Sequence, residues 1–212
     1  MTLRSLILLA AIASGLPACV PIIATGAAVG VSATLDRRSY GVQIEDSTIE
    51  TKAASAISAK LGPEARVSVT SYNRVILLTG EVPTEAAKAE AERQVATIPN
   101  GFRGIHNELT VGARASFSQQ STDAFTTSAI KSRLVEMKEV SSVQVKVVTE
   151  TGTAYLMGIV SPREQEVATY VATTTSGVRK VVRLFEVMSP EQIKQIDILQ
   201  SSSAANSASK AP

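Results

Sequence analysis

QVATIPNGFRGIHNELTV (residues 94–111) and YVATTTSGVRKVVRLFEV (residues 170–187) follow one pattern, written twice. Each runs from the apolar face of a helix, through a glycine, into an alternating segment that ends in valine. Upstream in each copy, ILLTGEV (76–82) pairs with AYLMGIV (154–160), and DSTIETKAASAI (46–57) with DAFTTSAIKSRL (123–134). The offsets stay between 76 and 78 positions, so the copies are near-equal units with small insertions. A doubled unit of this size indicates two small domains, since solenoids stack three or more short repeats.

Each unit opens with helical spacing: Ile49, Ala53, Ile57 and Leu61 in the first, Thr126, Ile130, Leu134 and Met137 in the second. Alternation follows in RVSVTS (66–71) and VQVKVV (143–148), the period of a half-buried strand. A polar turn (YNR or ETG) then leads to a second strand ending near Gly80 or Gly158, which is a hairpin. Ser161-Pro162-Arg163-Glu164 is a capping box with proline at the first helical position. Val167, Val171 and Thr174 share a face of the helix it starts, as Ala87, Ala91, Val95 and Ile98 do in the first copy. Gly101 and Gly177 mark the ends of these helices, and a third strand closes each unit at 105–111 and 181–187. The expected fold is α+β: two tandem αββαβ domains, each with two helices on one face of a three-stranded mixed sheet.

The chain has 212 residues, with 21 Lys+Arg against 19 Asp+Glu, and this near balance gives no broad basic face for nucleic acid. One cysteine and one histidine exclude an internal disulfide and offer no ordinary zinc ligand set. The amino terminus has Arg4, an apolar run from Leu6 to Leu16, and then Ala18-Cys19, the marks of a secretory signal. LPAC (16–19) resembles the bacterial lipobox, in which cleavage precedes a cysteine that carries lipid, although Pro17 departs from the usual small residue. The alternative is one long membrane span, because Ser5 to Leu35 is uncharged; Pro17, Pro21, Gly15, Gly26 and Gly30 make a continuous helix there poor. The expected layout is a signal peptide (1–18), a lipidated tether from Cys19 (19–45), domain one (46–112), a linker (113–121) and domain two (122–188). A C-terminal short helix and disordered tail (189–212) follow, with SSSAANSASKAP (201–212) as the disordered part.

The αββαβ unit, its second-strand glycine and the glycine before its last strand resemble the BON domain. Two copies behind a lipobox resemble the dual-BON outer-membrane lipoproteins of the DolP type, from Cys19 to about Met188. The resemblance implies a protein tethered to the outer membrane and facing the periplasm, tied to envelope integrity, with a role at the division site. It also implies that the second domain binds anionic phospholipid.

No catalytic set stands out. His106 is the sole imidazole, Glu90/Glu92 read as a solvated helix face, and TGAAVG (25–30) lacks the lysine of a phosphate loop. The protein is expected to be non-enzymatic and to need no cofactor and no metal. Phe125 aligns with Thr48 and falls opposite Leu134 on a helix turning about 100° per residue. It can meet a membrane interface, or pack on the other domain or on the helix's own entry segment. The resemblance favours the first, and Phe125, Lys131 and Arg133 become the candidate phospholipid-binding residues. The competing expectation is an adaptor for outer-membrane assembly proteins that uses the sheet faces.

Overall fold

The computed structural model describes residues 36–99 and 101–209; the expected signal peptide, Cys19 and most of the tether lie outside the described residues. The first unit runs α1 (Tyr40–Leu61), β1 (Arg66–Tyr72), β2 (Val75–Val82), α2 (Glu85–Ala96), β3 (Gly104–Asn107) and β4 (Thr110–Val111). The second runs α3 (Phe117–Val135), a 3-10 turn (Ser142–Gln144), β5 (Lys146–Glu150), β6 (Thr153–Val160), α4 (Pro162–Thr173) and β7 (Lys180–Val187). A further helix, α5 (Pro190–Ser209), ends the described chain.

In both units the middle strand pairs antiparallel with the strand before it and parallel with the strand after the helix, giving the mixed sheets β1-β2-β3 and β5-β6-β7. The third strand of the first unit is split: β3 and β4 keep one register along β2 but break opposite Thr79 and Gly80. Gly80 has φ +115°, a local twist the second copy lacks, so β7 runs unbroken along β6. Both hairpin turns use left-handed residues, Asn73-Arg74 and Thr151-Gly152. A buried aspartate on the first helix holds each of them. Asp46 accepts the amides of Asn73 and Arg74, and Asp123, its aligned counterpart, accepts those of Thr151 and Gly152.

Ile49, Ala53, Ile57, Ile76, Leu78, Ala91 and Val95 form one helix–sheet core; Ile130, Leu134, Val147, Leu156, Val167 and Val171 form the other. The alternate strand residues build a third core. Tyr72 and Leu77 of the first sheet meet Tyr155, Met157 and Ile159 of the second, and Ile193 of α5 closes the cluster. The helix-free faces therefore cover each other. Ion pairs run along both margins: Arg66 of β1 binds Glu81 and Glu150 of β5, while Arg103, ahead of β3, binds Glu186 of β7.

Four expectations need correction. Helix α1 starts at Tyr40, capped by Ser39, so the last part of the expected tether is helical. Ser116 caps α3, which begins inside the expected linker. Helix α5 continues to Ser209 through most of the stretch expected to be disordered; its first half is nucleated by packing at Ile193 and Ile196, and the Ser201 hydroxyl donates to the Asp197 carbonyl. The sheet faces, assigned to a partner protein in the adaptor reading, are buried between the two domains.

Candidate functional site

Helix α3 buries Asp123, Thr126, Ile130 and Leu134 on one side. The opposite side carries Phe117, Phe125 and Val135, which are 85%, 75% and 70% exposed. Between the aromatic rings lie Ser118, Ser121, Thr122 and Ala124, all exposed, and Ser128 follows Phe125. From Phe117 to Ile130 the helix holds one ionisable residue, Asp123, and it is buried. The outward face is thus uncharged over more than three turns. Its hydroxyls are partly satisfied by the helix itself, since Thr122 donates to the Ser118 carbonyl at 3.0 Å and Ser128 to the Ala124 carbonyl at 3.0 Å. Such internal bonding lowers the cost of taking these groups out of water.

Phe125 projects into solvent and packs on neither domain. Lys131, the first outward charge, is exposed and lines a shallow hollow with Ser132, Val135, Val143 and Lys146. Arg133 behaves differently from the sequence expectation. Its guanidinium donates to the Val171 carbonyl (2.8 Å) and to the hydroxyls of Thr175 (2.7 Å) and Thr174 (3.0 Å). It caps the last turn of α4, where a cation also meets the negative end of the helix dipole. The side chain turns toward α4 because position 133 lies about 80° around the helix from Phe125. Arg133 is therefore a structural link between α3 and α4.

Phe117 was missed by the sequence reading, which placed it in a linker. The signal was available: Ser116-Phe117 repeats Ser39-Tyr40 at the same offset as the helix cores, and each serine caps its helix. Helix α1 also exposes its first aromatic, Tyr40, but has Thr48 where α3 has Phe125.

His106 sits half-buried on β3 with no carboxylate bonded to it. Among the described residues no group of three or more His, Cys, Asp or Glu side chains could hold a metal ion, and no helix is long and apolar enough to cross a membrane.

The BON domain family model matches twice, at residues 45–113 and 122–189. The chain is 35% identical over 175 residues to the protein named Outer membrane lipoprotein DolP of Haemophilus influenzae, covering 82% of this chain and 90% of the relative. It is 38% identical over 152 residues to a 21 kDa hemolysin of Actinobacillus pleuropneumoniae, covering 71% and 78%. A solved structure of CdsD, from the type III secretion system of Chlamydia trachomatis, aligns with 73% of this chain and 97% of its own at 13% identity, with a TM-score of 0.29. The similarity to the DolP lipoprotein locates the protein at the outer membrane as a lipid-anchored protein. With two family matches on two αββαβ units, the chain belongs to the BON domain family, as a dual-domain member of the outer-membrane lipoprotein type.

Proposed function

We propose that this protein is a non-enzymatic, lipid-anchored module that binds anionic phospholipid through α3 of its second BON domain and thereby supports envelope integrity, including at the division site. Cys19 is the attachment site for the lipid. The observation that carries the reading is the exposed, uncharged face of α3, with Phe117 and Phe125 on it and Lys131 at its C-terminal side. An amphipathic surface of this kind seats its rings at the boundary between headgroups and acyl chains. A fully buried Phe contributes about 1.5–3 kcal/mol. A cation near an anionic surface adds about 1 kcal/mol. The free affinity is thus weak, and a covalent anchor makes it effective.

The test uses the soluble form, residues 34–212, with vesicles of phosphatidylcholine alone or mixed with an anionic phospholipid. The wild type should co-sediment with the mixed vesicles, more weakly as salt rises. Phe125→Glu should abolish co-sedimentation while its circular dichroism stays unchanged. Full binding by a folded Phe125→Glu protein would overturn the assignment of this face.

A further inference from the structure

Two adjacent arginines at the start of the described chain hold different domains. Arg38 belongs to the first domain: its guanidinium donates to Asp36 and to Asp46 of α1 (2.8 Å), and it lies 4.1 Å above the Tyr72 ring. Arg37 makes its bonds to the second domain and to α5. All five guanidinium N–H groups have acceptors there. Nε donates to Asp197 at 2.9 Å, Nη1 to the Ile159 carbonyl (2.8 Å) and Glu164 (2.9 Å), and Nη2 to Glu164 (2.9 Å) and Asp197 (3.1 Å). Its backbone amide donates to the Gln144 side chain, and its carbonyl accepts from Gln200 of α5. Arg37 is only 7% exposed. The guanidinium is the side chain suited to this place, because its rigid fork meets two carboxylates side by side and keeps its charge when buried.

Ile193 and Ile196 of α5 pack on the inter-domain cluster, whereas Ile198 and Leu199 are exposed. Asp197 lies where that packing ends. Glu164 is doubly committed, since it also closes the capping box of α4 by accepting the Ser161 amide.

We propose that Arg37 is a lock. It joins the segment leading to the lipid anchor, the second domain and α5 into one body, so that α5 acts as a strap across the domain boundary. The anchor-side segment is covalently part of the first domain, and the lock seats it on the second.

Trypsin reads the lock directly, because the bonds after Arg37 and Arg38 can be cut only when this segment leaves its seat. Under rapid opening and closing, cleavage tracks the open population. In the full-length protein held in detergent, Asp197→Ala should speed cleavage at Arg37 and Arg38 about tenfold or more, since it removes two charge-assisted bonds. Asp197→Glu should recover part of the protection, and Lys194→Ala, on the same helix, should leave the wild-type rate. A chain ending at Ser189 should be cut there as fast as Asp197→Ala or faster. Cleavage of Asp197→Ala at the wild-type rate would overturn the lock. So would acceleration that is equal at Arg163 and Arg179, because it reports loss of the whole fold rather than release of this segment.

Discussion

Asp46 and Asp123 show how much of each domain hangs on one side chain. Asp123 is buried, and it takes the amides of Thr151 and Gly152 at 2.9 Å each, closing the β5–β6 turn onto α3. Asp123→Ala would leave both turn amides without an acceptor, at about 1–3 kcal/mol for each buried group. The expected loss is about 3 kcal/mol, read from the urea midpoint. Asp46→Ala should cost more, since the Ser71 hydroxyl and Arg38 lose the same carboxylate. Gly80 is a second such position. A Cβ there would sit 2.0 Å from the Arg66 carbonyl oxygen, on a backbone already at φ +115°. Gly80→Ala should lower stability by about 3 kcal/mol or more, because neither the strand nor the side chain can give way. Thermal unfolding followed by circular dichroism measures it. These aspartates stand at aligned positions of the repeat, but their partners in the turns lie 27 to 29 residues away. The sequence displayed the repetition and not the reason for it.

At the scale of the element, periodicity made both first helices, both hairpins and the Ser161 capping box readable, because each depends on neighbours within a turn or two. Helix starts were harder. Ser39 and Ser116 are effective caps, yet Ser116 stands in a stretch rich in small polar residues that reads equally well as a loop, and Ser39 directly follows the charged run Asp36-Arg37-Arg38. The roles within α3 follow from which neighbour each side chain meets, and that separates two cations that look equivalent in the sequence. Arg133→Ala should lower stability by about 1–2 kcal/mol, through the lost cap of α4, and leave vesicle binding unchanged. Lys131→Glu should do the reverse. Stability should stay within about 0.5 kcal/mol, as at most exposed sites. Binding to anionic vesicles should fall about fivefold or more at low salt, and what remains should depend less on salt than the wild type's binding does. Parallel urea titrations and co-sedimentation of the two variants check the pair.

For the whole molecule, the inter-domain contacts are where acid should act. Burial pushes the carboxyls of Glu164, Glu186 and Glu81 up, but the arginines bonded to them, Arg37, Arg103 and Arg66, outweigh it and hold all three below the usual range. A depressed carboxylate contributes stability above its unfolded value of about 4.3, lost as pH falls through its folded one. Glu150 has the opposite sign. Burial is the main cause of its raised pKa, aided by Glu81 and Asp123 and only partly opposed by Arg66. Its native form takes up a proton first and offsets a little of the loss just above pH 4.3. The urea midpoint should therefore hold to about pH 5 and drop below about pH 4.3. Glu186→Gln should make that drop shallower, because it removes one of the three depressed groups.

Tension gives the Arg37 seat a mechanical meaning. A pull transmitted along the chain from its amino-terminal side reaches Asp36 and Arg37 before it reaches Ser39 and the first turn of α1. The bonds loaded first are that of Asp36 to Arg38, which reaches α1 through Asp46, and those of Arg37 to Glu164, Asp197 and the Ile159 carbonyl, outside the first domain. Force entering at this end is thus shared between α1 and the second domain, and the Arg37 grip lowers the load that α1 and its hairpin carry.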